Sequence, residues 1–235
     1  YLVAGLEYRN INLKLRDELP FNASDKERFQ SFKISLGFTD AMKNNWRWAV
    51  NATVRLASNF TGGVTGDDYV YGGEVYFIKD NKSEVQTTVA KPFRLILGIS
   101  YSTIAGRPFP LPLINYNKRF HPNWSFTIGA PKTNIKYYVT EKSIFQAFVT
   151  LDGFYANIQN DIPIPNQNPA DTISFTTVLW GAGYEYCFTD HLLLYVYSGH
   201  TLLNDIRMRD RGGNDVVTLN DKNTLYARTG LKFKI

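Results

Sequence analysis

Apolar and polar residues alternate at period two through most of this chain, and helical spacing is absent. Residues at i, i+3, i+4 and i+7 do not line up over any long window, so the chain reads as strands. From Gln30 to Phe38 one face carries Gln30, Phe32, Ile34, Leu36 and Phe38, and the other Ser31, Lys33, Ser35 and Gly37. From Trp46 the apolar row is Trp46, Trp48, Val50, Ala52, Val54 and Leu56, backed by Arg47, Ala49, Asn51, Thr53 and Arg55. Phe93, Leu95, Leu97, Ile99 and Tyr101 repeat the pattern against Arg94, Ile96, Gly98, Ser100 and Ser102. Such a chain must bury one face of each strand and dispose of the edges of its sheet.

The breaks between alternating runs are of two kinds. Tight polar turns fall at Asp40 to Asn45, Asp80 to Ser83, His121 to Asn123, Glu141 to Lys142 and Thr189 to Asp190. Longer connections alternate with them, at Arg16 to Glu27, Asn59 to Asp68, Ala105 to Pro110, Ala130 to Thr133, Gln159 to Ala170 and Asn204 to Lys222. Short and long connections in turn give an up-and-down barrel with two unlike rims. The predicted strands are Tyr1–Leu15, Arg28–Thr39, Asn45–Ser58, Tyr69–Lys79, Phe93–Thr103, Leu111–Phe120, Trp124–Gly129, Asn134–Thr140, Ser143–Asn157, Thr172–Phe188, His191–Leu203 and Thr224–Ile235. That is about twelve, an even number, which puts both termini on the short-turn side. The seventh and eighth are shorter than the roughly 9–11 residues of a tilted spanning strand, and Ser83–Lys91 has no place in the scheme.

Composition narrows the solvent. The 235 residues are 44% hydrophobic and 15% aromatic, which excludes disorder, and the lone Cys187 excludes a disulfide scaffold. No run approaches the roughly 18 apolar residues of a spanning helix. The formal charge of +5 comes from basic residues spread singly along the chain, so nucleic acid is not an expected partner. Tyr1 is not a start methionine and no charged segment precedes an apolar one, so the chain is expected to be mature or trimmed. Three features favour a membrane barrel over a soluble one. The polar faces are rich in Gly, Ser, Thr and Asn with isolated Arg and Lys, as suits a crowded lumen. Aromatics flank the tight turns: Phe38 and Trp46, Phe120 and Trp124, and Phe188, as in an interfacial girdle. The strands are long and numerous, and closure is what lipid demands of them. The expectation is therefore an all-β fold, a single domain over residues 1–235: a transmembrane antiparallel up-and-down β-barrel of about twelve strands.

Two runs break the alternation. Glu7 and Arg9 share a face with Ile11 and Leu13, and Ile173 and Phe175 share one with Gly183 and Glu185. A β-bulge, or extension of those strands beyond a bilayer, would account for this. The last residues, Arg228 to Ile235, place Gly230 before Leu231, Phe233 and Ile235, two apart. This resembles the C-terminal signal that the barrel-assembly machinery reads in bacterial outer-membrane barrels, with Ile235 where a terminal Phe is more usual. At the family level the chain resembles the uncharacterised outer-membrane β-barrels common in Bacteroidota. The residues that carry this are Arg107-Pro108-Phe109-Pro110-Leu111-Pro112-Leu113-Ile114, Tyr116, Asn123-Trp124-Ser125, Gly129-Ala130-Pro131-Lys132 and Ile135-Lys136-Tyr137. The resemblance implies a location and a fold and carries no activity.

No chemistry of reaction stands out. Barrel phospholipases resemble one another in a His-x-Ser pair, and none of His121, His191 and His200 provides one. Gly62-Gly63-Val64-Thr65-Gly66 lacks the Lys-Ser/Thr ending of a phosphate loop and reads as a flexible exposed loop. Asp205, Asp210, Asp215 and Asp221 interleave with Arg207, Arg209 and Arg211, a self-neutralising loop rather than a calcium site. No catalytic residue, metal site or cofactor is expected. The remaining candidates line the lumen: Lys33, Arg47, Arg55, Arg94, Arg228, Lys232 and Lys234 lie on polar faces, with Glu7, Glu74 and Glu185 as candidate counterions. They form either a basic, anion-preferring path or an ion-paired filling, and the second is favoured at this strand number. The expected protein is a non-enzymatic outer-membrane barrel with both termini periplasmic. Its partners are outer-membrane lipids, the assembly machinery during biogenesis, and other outer-membrane proteins contacted as an accessory subunit. The alternative is a small channel.

The terminal signal makes a prediction. Phe233→Asp near a rim costs the folded state only about 0–1 kcal/mol. Insertion in cells is expected to fall well before detergent refolding of the purified variant does; normal insertion would reduce Gly230, Leu231, Phe233 and Ile235 to an ordinary amphipathic strand.

Overall fold

The computed structural model describes residues 1–13, 28–81 and 93–233, with Lys232 and Phe233 by their backbone alone. The expected connection at 16–27, the unplaced stretch 83–91, and Lys234 and Ile235 lie outside the described residues. Among the described residues the structure is all-β apart from one 3-10 turn at Gly66–Asp68. Thirteen strands follow one another within these residues: β1 (Leu2–Asn12), β2 (Arg28–Ala41), β3 (Trp46–Ser58), β4 (Tyr69–Asp80), β5 (Phe93–Ser102), β6 (Phe109–His121) and β7 (Trp124–Ala130), then β8 (Lys132–Tyr138), β9 (Ser143–Ile162), β10 (Ala170–Cys187), β11 (Leu192–Arg209), β12 (Asp215–Asn220) and β13 (Leu225–Phe233).

Each strand from β1 to β11 pairs antiparallel with the next, as period-two sequence with short turns requires. The far half of β11 pairs β12, and its near half pairs β13 from Leu192↔Phe233 to His200↔Leu225. Twelve of these strands were anticipated and β12 was not. The stretch Asn204 to Lys222, expected as a loop, instead contains the end of β11 and a hairpin back along it. Gln159 to Ala170 likewise shortens, because β9 runs on to Ile162 and β10 starts at Ala170. Ala130 to Thr133 is no long connection: Pro131 alone separates β7 from β8. Gly129 permits the approach to β6, with φ +152° and no room for a Cβ beside the Ile114 carbonyl.

Closure also differs from expectation. Among the described residues no ladder joins β13 to β1; their neighbours are β11 and β2. The ring that does close runs from β3 to β9, sealed by one parallel bridge between Ser58 and Asn157. β9 is 20 residues long, and beyond Thr150, its last residue paired with β8 (at Lys132), it leaves that neighbour and reaches β3. The Ser58 hydroxyl donates to the Asn157 carbonyl at 3.2 Å to hold it there.

Side chains sort onto two faces. Phe32, Ile34 and Leu36 on β2, Val50 and Val54 on β3, and Val75 and Phe77 on β4 are exposed outward. Leu97 and Ile99 on β5, Ile128 on β7, Ile135 on β8 and Val196 on β11 continue the same exposed row. The opposite face shares contacts across the wall: Arg9 of β1 reaches Asp152 of β9, and Arg55 of β3 donates to Thr103 Oγ1 at 2.7 Å. Apolar residues are thus outside and charged residues inside along most of the height.

At the long-connection end this reverses. Phe29, Ala57, Phe154, Ala156, Ile158, Ile173 and Met208 form a buried cluster, with Ile11, Leu13, Phe175 and Ile206 packed against it. That explains the two anomalous runs. On β1 and β10 parity never changes; the inward face simply passes from charge to hydrocarbon as the strands enter the cluster. A true bulge lies on β11, where Val178 faces Leu203 and Leu179 faces Thr201, so Leu202 and Leu203 both point outward and Met208 turns in.

The cluster should dominate stability. Ile173 is fully buried, so Ile173→Ala is expected to cost about 2–5 kcal/mol. Ile34→Ala on the exposed row of β2 should cost far less. Urea midpoints of the two purified variants in detergent check the contrast.

Candidate functional site: the inner face

Two carboxylates organise the inner face. Glu7 sits on β1 between basic residues presented by β1, β2 and β3. Lys33 Nζ donates to Glu7 Oε2 at 2.7 Å, Arg9 Nε donates to Oε1 at 2.9 Å, and Arg55 stands 3.9 Å away. The ladder explains the grouping: Glu7 lies opposite Lys33, and Lys33 opposite Arg55, so antiparallel registry stacks three ionisable side chains in one row. Arg9 then extends to Asp152 on β9 at 3.4 Å and ties the row to the far wall.

Glu185 on β10 is the second centre and is 6% exposed. It accepts from Lys136 Nζ at 2.7 Å, Gln146 Nε2 at 2.7 Å and the Tyr197 hydroxyl at 2.6 Å. Its donors come from β8, β9 and β11, so one carboxylate links four neighbouring strands. Lys132 lies over the rings of Phe148 and Tyr197, at 4.8 and 5.1 Å from their centroids.

Of the residues singled out in the sequence, Lys33 and Arg55 meet at Glu7, and Glu185 forms the other centre. The rest are dispersed. Arg94 pairs with Asp80 across β4 and β5. Arg47 is exposed at the short-turn end, and Arg228 packs over the Tyr195 ring at 5.6 Å. Glu74 accepts from Ser100 Oγ at 3.1 Å. The side chains of Lys232 and Phe233 lie outside the described residues, while Gly230 and Leu231 pair with Tyr195 and Leu194. Reading the sequence missed Arg9, Asp152, Lys136, Gln146 and Tyr197. Their inward parity was available, since Arg9 follows Glu7 by two and Gln146 precedes Asp152 by six, but the cross-wall partners were not.

At the mouth a third carboxylate, Asp68, is fully buried. Asn157 Nδ2 donates to its Oδ1, and Gln159 Nε2 and the Thr65 backbone N–H donate to its Oδ2, each at 2.8 Å. Burial pushes the Asp68 carboxyl up, but the donors from Asn157, Thr65, Ser58 and Gln159 outweigh it and hold the group below its ordinary value. Gln159 also binds the glycine loop, accepting from Gly62 N–H at 2.8 Å and donating to Gly63 O at 2.9 Å. The loop is exposed, as expected, but it is tied to β9.

Asp205 pairs with Arg207, and Asp215 with Arg207 and Arg209, while Asp210 accepts from Asn168 Nδ2 at 2.8 Å. Among the described residues no three His, Cys, Asp or Glu side chains gather where a metal ion could be held. His121 and His191 lie at the short-turn end, and His200 Nδ1 is 2.7 Å from the Thr201 carbonyl.

Removing one member of a buried ion pair strands the other. Glu185→Ala is expected to cost about 3 kcal/mol, at the lower end for a buried pair because Lys136 keeps a quarter of its side-chain exposure. Adding Lys136→Met should recover part of that loss. Urea titration of the single and double variants measures both.

A family model described as Domain of unknown function (DUF6268) matches residues 14–234, and no curated protein matches the chain. The chain belongs to the DUF6268 family.

Proposed function

We propose that this chain is an integral β-barrel of a bacterial outer membrane, of the kind common in Bacteroidota, with an occluded lumen. It acts without catalysis, as an accessory subunit that contacts other outer-membrane proteins. The observation that carries the reading is the inverted distribution of side chains. Exposed Val, Ile, Leu and Phe rows run over β2 to β11, while Glu7, Lys33, Arg55, Lys136 and Glu185 face inward. Water would favour the opposite arrangement; lipid favours this one. Aromatic pairs at the short-turn end support it, with Trp124 and Tyr137 rings 4.7 Å apart and Phe120 and Phe126 rings 5.8 Å apart.

The accessory reading is supported by what occupies the interior and by what the edges offer. Cations that would line an anion path are held by Glu7, Asp152 and Glu185. β1 and β13 each keep one unpaired edge among the described residues, with Leu2 and Leu225 more than 80% exposed. Such edges are the surfaces on which a neighbouring protein pairs or packs. In this orientation the short turns and both termini face the periplasm, and the connections at 59–68, 163–169 and 210–214 face outward.

Planar-bilayer recordings are expected to show no steady current, and affinity purification from native membranes to retain a stoichiometric membrane partner. A steady anion-selective current without a partner would replace this reading by the channel. Cysteine labelling of intact cells should modify Gly213→Cys and spare Asn44→Cys; the reverse result inverts the topology.

A further inference from the structure

The wall has a gap that the accessory role does not use. β7 and β8 are seven residues each, and their hairpin turns at Pro131, well below the ends of β6 and β9. β6 pairs with β7 only from Ile114 onward, so Phe109 to Leu113 have β5 on one side and, among the described residues, no strand on the other. β9 pairs with β8 only as far as Thr150. Between these two edges lies an opening in the outward apolar surface.

The β6 edge is adapted to stay unpaired. Backbone groups of an antiparallel strand point alternately to its two neighbours. The Ile114 carbonyl faces β7 at Gly129, so the even positions of β6 address the gap. Pro110 and Pro112 occupy two of them. Proline has no N–H, so the edge presents no orphan donors there, while Leu111 and Leu113 keep their bonding positions toward Ser100 and Gly98 of β5. In lipid an unpaired donor is costly, and this edge has shed two.

Behind the gap is a cavity of about 420 Å³, a size that suits a small ligand. It is lined by residues of both parities of β6: Leu111 and Leu113, which face inward, and Pro112, which is exposed. Ala130, Pro131 and Leu151 at the rim of the gap belong to the same cavity, so the space runs around the β6 edge and through the wall. Its outer part is hydrocarbon. Its inner end carries Glu74, Ser100 and Asn115, with Ser100 Oγ donating to Glu74 at 3.1 Å.

We infer that this is a lateral binding site for a single-chain amphiphile from the bilayer. The aliphatic chain lies in the gap between β6 and β9, and a hydrogen-bond-donating, non-anionic head reaches Glu74. The sign of the head follows from Glu74: a hydroxyl or ammonium donates to a carboxylate, whereas a second carboxylate is repelled. The inference rests on the membrane reading above, because the gap matters only if it faces lipid.

The test is photolabelling of the whole protein in phosphatidylcholine nanodiscs with a long-chain alcohol that carries a diazirine in its chain. Tandem mass spectrometry locates the labelled residues. Label on Leu111, Leu113 and Ile96, in addition to outward residues such as Ile99 and Ile114, is the expected result. Label confined to the outward residues overturns the site and leaves the membrane reading standing. Label nowhere on the chain overturns both. The matching fatty acid is expected to label the inner residues about tenfold less, and Glu74→Gln to narrow that difference; equal labelling by both probes on the native protein overturns the assignment of the head. Leu113→Trp, which fills the cavity, should abolish the inner label and keep that on Ile99, and persistence of the inner label counts against the site. Should that variant fail to fold, the native protein with the two probes decides the matter.

Discussion

A meander of antiparallel strands has two free edges, and the arrangement of this molecule follows from how they are handled. Every paired strand satisfies its backbone groups against two neighbours, but the first and last have only one each. Here β9 supplies part of the answer from within the sheet. By continuing past the top of β8 it bridges to β3 at Asn157 and Ser58 and closes a seven-strand ring. The remaining strands, β10 to β13 with β1 and β2, then wrap a second compartment that shares β9 as a wall. Its cavity, about 230 Å³, brings Arg9 and Ile11 of β1 beside Leu225 and Tyr226 of β13. The terminal strands therefore face one another across this space, with no ladder between them among the described residues.

The inward charges follow from the same geometry. A row of cross-strand neighbours places Glu7, Lys33 and Arg55 within reach of one another, and a charge taken from water has to find its counterion there. Each centre is consequently a brace. The Glu7 group links β1, β2, β3 and β9, and the Glu185 group links β8 to β11. Such braces hold strands at fixed register where outward packing is only against solvent or lipid.

Strand positions were legible because period two is a property of one strand at a time. Trp46 to Ser58 and Phe93 to Ser102 could be read from their own residues. What lay beyond reading was every fact that involves two distant strands. The bridge from Ser58 to Asn157, the failure of β13 to meet β1, and the pairing of β12 leave no local trace. The apolar runs on β1 and β10 did leave one, since Ile11 and Ile173 sit on inward parity, yet it pointed equally to a bulge or to a buried rim. Among the candidate residues, Lys33, Arg55 and Glu185 were found because charge on a polar face is conspicuous. Gln146 and Tyr197 were missed because a neutral donor on such a face looks like any other.

The upper half of β9 shows the limit most sharply. Phe154, Ala156 and Ile158 alternate with Tyr155, Asn157 and Gln159, the pattern of a strand with one wet face. Both faces are in fact covered. The apolar residues enter the mouth cluster, and Asn157 and Gln159 are under 10% exposed because their amides point at Asp68. A buried carboxylate accepting two amide donors and a backbone N–H can replace water for that face. Alternation therefore reports only that one face needs polar partners; whether water or protein provides them is decided by the chain elsewhere. Here it is decided by the short turn ending at Asp68, which holds the strand across the mouth and so determines that the barrel is divided rather than open.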